Sequence, residues 1–470
     1  MVMDKNRGVI VAAGAAIACA TAGLLAVNKS PGQPPLPPVA LPITKPPLTL
    51  PEDRPGEIQA TFRVTALTDS GEGSLRAAIL AANASPGPDQ IVFESDDGLY
   101  SSPQTISLES PLPTVTDDLV IDGYIEDMLW KASGVTIDAS GQHAILQVSA
   151  NTLVKLRYLT LSHGNADRGG AIFSEGDLVV ESSTFDNNRA TDQGGAIYAS
   201  GLLTFVINST FYDNSADQGG GALALTSGQA RVTHATFTNN SAPRGAAVLN
   251  EASLGMGNSI LANSLVGSDC FSSRPLEASL HNIIESDSGC GEPYSREDPV
   301  LGNPDYFNGP TRTINLGMRS PATNYGARDA SVNEYGQPLR WDQRGNGDPR
   351  DAAGVVDIGA FETQAQNKVI VDTAEDVDYR WCVVFKNDCS LRGAMLLANN
   401  DFRFPVITFD DKIFAEKTTL TLNGDLPSIT TAITLDASGT GGITLQAKEN
   451  SSLCTASELL STVNITLECD

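Results

Sequence analysis

The 470-residue sequence predicts an all-β fold of the parallel β-helix type, a solenoid in which each turn of the chain lies on the one before. Three observations predict it. First, a stretch recurs almost unchanged: "RGGAIFSEGDLVVESSTFDNN" from Arg168, "QGGAIYASGLLTFVINSTFYDN" from Gln193 and "QGGGALALTSGQARVTHATFTNN" from Gln218, with a fainter "RGAAVLNEASLGMGNSILAN" from Arg244. Second, the period is regular. Ala171, Ala196, Ala222 and Ala247 are spaced by 25, 26 and 25, and Phe185, Phe211 and Phe237 by 26, each followed three residues later by Asn188, Asn214 or Asn240. Periods of 20 to 50 residues mark solenoids, propellers or arrays. Third, the apolar residues fall in short runs such as Leu178-Val179-Val180 and Leu203 to Ile207, broken by glycine, serine and asparagine. That is a strand pattern, without the three-and-four spacing of a helical repeat. The leucine spacing of a leucine-rich horseshoe is also missing.

One unit of about 25 residues suits one coil, with coils roughly 4.8 Å apart and equivalent side chains stacked. Val180, Val206 and Val232 then form one interior column and the three phenylalanines another. Ser183, Ser209 and Ala235, two residues before each phenylalanine, supply the small side chain needed beside the ring. Each Gly-Gly pair allows φ > 0 or close backbone approach at a tight corner. The asparagines form an amide ladder from coil to coil.

Ahead of the repeats, residues 1–30 read as a signal peptide or N-terminal membrane anchor: Lys5 and Arg7 precede 19 weakly apolar residues, Val9 to Val27. Residues 31–57 form a proline-rich linker holding ten of the 26 prolines, an extended spacer suited to a stalk. A formal net charge of −26 repels nucleic acid and anionic lipid. Nucleic acid is therefore excluded as a partner, and a membrane is met only through the N-terminal segment. With Cys19 assigned to the leader, six cysteines remain in close pairs: Cys270 with Cys290, Cys382 with Cys389, and Cys454 with Cys469. None has CxxC spacing, and export favours disulfides between near neighbours.

The flanks carry a second signal. "GSLRAAILAANASPGPDQIVF" (Gly73 to Phe93) returns as "CSLRGAMLLANNDFRFPVITF" (Cys389 to Phe409), an offset of 316. In each copy Leu-Arg-x-Ala opens a short amphipathic helix, with Leu75, Ala78, Ile79 and Ala82 on one face in the first. A helix leading into the first coils reads as an N-terminal cap over an otherwise unpaired strand edge. "CSLRGAMLLAN" resembles the CSLREA motif of secreted bacterial β-helix proteins. The GGAI and FxxN pairs resemble polymorphic outer-membrane protein repeats. The stretch from Glu297 to Glu362, with "DQRGNGDPR" and "DIGAFE", resembles the choice-of-anchor Q domain. The resemblance implies a right-handed, pectate-lyase-like solenoid, exported and held at the cell surface, periplasmic or extracellular. The divisions expected are 58–290 for the β-helix, 291–364 for its choice-of-anchor Q-like C-terminal part, and 365–470 for a second, truncated CSLREA-like unit.

Chemistry is sparsely signalled. A glycosidase needs two carboxylates some 5 to 9 Å apart. Asp186 and Asp213 are the candidates, but they are offset by one residue within the repeat. His143, His163, His234 and His281 share no spacing that assembles a triad or a metal site. Asp342, Arg344 and Arg350 read as a structural ion pair among turn glycines. Asp167, Asp192 and Asp217 precede the Gly-Gly pairs at steps of 25 and 25. Stacked carboxylates about 5 Å apart repel by roughly 1 kcal/mol or more. Either each caps its own turn and faces water, or a cation such as Ca²⁺ bridges adjacent coils. The function expected is a non-enzymatic binding, adhesion or surface-structure module, with surface polysaccharide or another cell-surface protein as partner. The alternative is a polysaccharide-active lyase or glycoside hydrolase that uses the side face as its cleft.

Overall fold

In the computed structural model, the described residues are 48–470, apart from 95–97, 126–133, 318–319, 346–347, 352–354, 364–367, 377–388, 401–405, 423, 430–432, 448–453, 455–458 and 470. The leader, most of the proline-rich linker and Cys382 lie outside them.

The repeats form a parallel β-helix whose coils have four walls. Wall 1 is a nine-stranded parallel sheet that includes Leu153–Arg157, Asp177–Glu181, Leu203–Ile207, Gln229–Thr233 and Ser253–Gly257. Wall 2 has eight strands, among them Thr184–Asp186, Thr210–Tyr212 and Thr236–Thr238. Wall 3 is a short sheet of Asn165–Arg168, Arg189–Gln193 and Ser215–Ala216. Wall 4 has seven strands, including Ile172–Ser174, Ile197–Ala199, Leu223–Leu225, Val248–Asn250 and Cys270–Ser272.

The expected columns are present. Val180, Val206 and Val232 are in register on wall 1. Phe185, Phe211 and Phe237 stack in the core with centroids 4.7 Å apart at each step. The amide ladder is also formed: Asn188 Nδ2 donates to Asn214 Oδ1 at 3.0 Å, and Asn214 Nδ2 to Asn240 Oδ1 at 3.1 Å. Each of these amides also receives or donates to main chain at its corner, so it satisfies backbone groups that a turn leaves unpaired. Gly169, Gly194, Gly220 and Gly245 hold the left-handed conformation that wall 4 needs at its start (φ 56 to 69°).

The capping helix α1 (Leu75–Ala84) buries Leu75, Ala78, Ile79 and Ala82 over the first coil, and Ser74 caps it by accepting from Ala77 N. Its arginine explains the Leu-Arg-x-Ala motif. Arg76 pairs with Asp69 and donates to the carbonyls of Ser110 and Pro111, tying the helix to the loop beneath it. The duplicated unit repeats this in α2 (Leu391–Asn400): Arg392 pairs with Asp376 and donates to the carbonyls of Gly424 and Asp425. That unit builds two parallel sheets of four and three strands around its own core, including Val371, Met395, Ile407, Leu435 and Leu445.

Residues 291–364 differ from a simple continuation of the coils. The ladder continues only to an isolated parallel bridge of Ser295 to Ile283. Beyond it, Leu301–Asp305 and Thr313–Leu316 pair antiparallel, and the chain runs back as a strap along the column. Prolines and turn residues dominate this stretch, and it has no repeated apolar strand to stack.

Candidate functional site

The strap determines which side of the column is available. At the corner between walls 1 and 2, Tyr158, Ser182, Asn208, His234, Asn258 and His281 all have left-handed φ between 47 and 56°. From Asn208 onward their side chains turn outward and bind the strap. Asn208 donates to Trp341 O at 2.8 Å and accepts from Arg350 at 2.9 Å. Asn258 exchanges bonds with both backbone groups of Ala327. His234 contacts Ser331 Oγ at 2.7 Å and Gly359 O at 3.2 Å, and burial holds its imidazole well below the usual range, hence neutral. His281 meets Tyr325 O. Four histidines without common spacing thus conceal two that share one corner. Aligning the residue three before each phenylalanine (Ser182, Asn208, His234) would have found that ladder.

Along wall 2 the strap covers the outward threonines. Gln343 bridges Thr184, Thr210 and Thr311, and Thr236 accepts from Ala360 N. Asp342, Arg344 and Arg350 form the buried structural network expected of them. Arg344 Nη2 meets Asp342 Oδ2 at 2.6 Å, lies over the Phe361 ring, and reaches Asp348 at 3.0 Å. Arg350 is fully buried, donating to the carbonyls of Gly359 and Ala360 and pairing with Glu362. Burial pushes the Asp348 carboxyl up to about 6, outweighing Arg344. A carboxyl whose folded pKa exceeds its unfolded value near 4 takes its proton first in the folded state, so folding gains stability as pH falls from about 7 to 4. Asp348→Asn is expected to remove that part of the slope when melting temperature is plotted against pH, and an unchanged slope would refute it.

Wall 1 is covered as well. Val179, Phe205 and Ile207 point outward yet are fully buried, beneath Leu48, Leu50, Tyr335 and Leu339. Among the described residues, Ala224 and Leu249, at the outward position further along wall 4, are fully buried, whereas wall 3 and the first coils of wall 4 carry exposed or half-buried outward side chains. Here Phe173 and Tyr198 stack at 5.4 Å with planes 6° apart, Arg168 lies over the Tyr198 ring, and Arg244 lies over Phe271 in the same manner.

The structure does not align Asp167, Asp192 and Asp217 as a ladder. A bulge between Ala190 and Gln193 places two residues, Thr191 and Asp192, against Asp167 alone. One coil further, Ala216 pairs with Ala190 and Gly219 with Gln193, which sets Asp217 against Thr191. Equal sequence steps therefore hide unequal coils. Each carboxylate has a separate partner: Asp167 accepts from Thr191 Oγ1 at 2.9 Å, Asp192 pairs with Arg168 at 3.2 Å, and Asp217 pairs with Arg189 at 3.0 Å. Among the described residues no group of three or more acidic, histidine or cysteine side chains is arranged to hold a metal ion. Exposed pairs of this kind contribute under about 1 kcal/mol. Asp192→Asn is thus expected to cost less than that, with melting indifferent to millimolar Ca²⁺; a chelator-reversible rise in melting temperature would restore the cation.

The two candidate catalytic acids have different surroundings. Asp186 is buried under the strap, accepting from Ser162, Tyr212 and Arg312. Asp213 sits exposed at the next corner, its carboxyl raised by partial burial and by the charge of Asp186. The Asp186 oxygens are taken by structural donors. Cys270–Cys290 and Cys454–Cys469 are disulfides, as expected. Cys389 is also disulfide-bonded, and its expected partner, Cys382, lies outside the described residues. Among the described residues no helix is long and apolar enough to cross a membrane.

The fold defines a parallel β-helix protein. Within it, residues 182–200 match the Chlamydia polymorphic membrane protein (Chlamydia_PMP) repeat. The matched stretch runs from the first corner through the FxxN turn and the Gly-Gly pair into wall 4. No curated protein matches the chain.

Proposed function

We infer that the protein is an exported, surface-held β-helix that binds a partner without turning it over, presenting wall 3 and the adjoining Phe173–Tyr198 part of wall 4 as its binding face. The carrying observation is the coverage of the column. The strap and the segment from Leu48 occupy walls 1 and 2, while the Phe173–Tyr198 stack and the Arg168–Asp192 and Arg189–Asp217 pairs stay accessible. Paired opposite charges beside aromatic rings suit specific polar recognition more than bulk electrostatic capture. Polymorphic-membrane-type repeats support placement at a cell surface. In the same reading the strap is the choice-of-anchor Q-like part, α1 and α2 are CSLREA-type caps, and residues 1–57 deliver and tether the body.

Surface polysaccharides and cell-surface proteins are the partner classes, to be screened with the purified chain on glycan and cell-surface arrays. Retention is expected without new reducing ends or absorbance at 235 nm, and Tyr198→Ser with Arg168→Glu should weaken it at least tenfold. Turnover of any polymer would favour the lyase or hydrolase alternative. Binding unaffected by the double variant would move the site off this face.

A further inference from the structure

We propose that Lys155, Glu334 and Glu181 form a self-modification site, at which Lys155 and Glu334 condense into an amide that bonds the strap covalently to wall 1. Lys155 lies on Leu153–Arg157, in an outward column that continues through Val179, Phe205 and Arg231. Its Nζ is 2.5 Å from Glu334 Oε1 of the strap and 2.7 Å from Glu181 Oε2 of the next coil. Two carboxylates meet one amine, so the group holds one more negative charge than the lysine can neutralise, and burying that charge is costly. A nucleophile, an electrophile and an acid–base group are thereby within reach of one another.

The site is dry. The Glu334 side chain is 1% exposed, and the apolar cluster on this wall includes Leu50, Val179, Phe205 and Tyr335. Leu50 N donates to Glu334 O at 2.7 Å, which fixes this turn of the strap. Exclusion of water favours the neutral amine and acid over the two ions, and it withholds the water that would hydrolyse the amide. In the ionised group, burial works against the ammonium, but Glu181 and Glu334 outweigh it and hold Lys155 above its usual range. A proton therefore passes first from Nζ to Glu334 along their hydrogen bond, which discharges two buried groups at once. A minor population of the neutral pair is enough, because condensation in a dry site withdraws it irreversibly.

The step balances without a co-reactant. The Nζ lone pair forms a bond to the Glu334 carboxyl carbon, Glu181 takes a proton from Nζ and returns it to the departing hydroxyl, the C–O bond breaks, and one water leaves. Glu181 ends as it began, with Arg157 beside it as a countercharge once the lysine is neutral. The oxygen that gains charge during the attack also has a partner at hand. Arg231 is buried and donates Nη2 to Asn333 O, next to Glu334, while its Nε and Nη1 have no partner. Glu334 Oε2 is likewise buried without a partner, and the charges of Glu334 and Arg231 interact. The other buried arginines among the described residues, Arg344 and Arg350, each have a carboxylate of their own. A guanidinium with free donors beside a carboxyl under attack stabilises the developing oxyanion. The bond does not depend on what wall 3 binds.

Peptide mapping of the reduced full chain by tandem mass spectrometry tests this, on protein with β-type circular dichroism. The expected product is one branched peptide joining Lys155 to Glu334, lighter than its two parts by one water and present in most chains. Glu181→Gln keeps the shape of the side chain but cannot take the proton, and should lower the yield at least tenfold. Lys155→Arg keeps the charge and should abolish the product. Recovery of the Lys155 and Glu334 peptides unlinked from the unaltered chain would reduce the group to an ion pair and overturn the proposal, and that result requires no variant to fold. A branch at Glu181 in place of Glu334, or an unchanged yield in Glu181→Gln, would overturn it as well.

Discussion

Phe211→Ala is expected to lower unfolding stability by about 3 to 5 kcal/mol, the range for truncating a buried phenylalanine. The ring is fully buried and lies between Phe185 and Phe237 with both centroids 4.7 Å away. Truncation therefore removes the transfer free energy of the ring and two aromatic contacts, each worth about 0.5 to 1.5 kcal/mol. The coils above and below are fixed by parallel ladders in every wall, so the cavity cannot collapse without breaking register. Denaturant unfolding followed by far-UV circular dichroism measures the loss. Phe173→Ala is the control: that ring stacks on Tyr198 but is half-buried on the outer side of wall 4, so it should cost much less. A loss below 1 kcal/mol at Phe211 would mean the phenylalanine column does not carry the core.

Arg350→Ala should be comparably severe, at about 3 to 5 kcal/mol, for an electrostatic reason. The guanidinium is fully buried and joins the column to the strap: Asn208 on the corner, the carbonyls of Gly359 and Ala360, and Glu362. Burial lowers its pKa and pushes that of Glu362 well up, so neither charge is comfortable alone. Removing the arginine withdraws its hydrogen bonds from Asn208, the two carbonyls and the Glu362 carboxyl, while His234 still reaches Gly359 O and Asp357 N still donates to Glu362. Lysine cannot reproduce the planar fork, and Arg350→Lys should recover little. Hydrogen exchange should show the strap from Tyr325 to Glu362 losing protection before the coils do. By contrast Arg328→Ala, which breaks an exposed pair with Asp351, should cost under about 1 kcal/mol. Equal losses at the two sites would show that the strap is held by something other than the buried network.

The column was legible in the sequence because stacking is a local rule repeated. Every coil places the same residue type over its predecessor, so Val206, Phe211, Asn214 and Gly194 announce their positions by period alone. The cap was legible for the same reason, since the Arg76 and Arg392 motifs recur with their helices. One clue to the covered wall was also present: Thr204-Phe205-Val206-Ile207 is apolar on both faces of a strand, which means something lies on each side.

The strap, the coverage of the walls and the fate of the aspartates depended on tertiary structure. Asp167, Asp192 and Asp217 are evenly spaced along the chain, yet a bulge in wall 3 changes the residue count of one coil and separates them. Period reports how many residues pass per coil on average, whereas register depends on where an extra residue is accommodated. The strap has no period at all, and its contacts to Asn208, His234 and Asn258 join residues roughly 70 to 140 positions apart. Such pairings satisfy buried polar groups only once both partners are in place, so neither segment carries a sign of the other. The sequence by itself determined that a column forms and what fills it; the folded chain decided which of its sides faces the solvent.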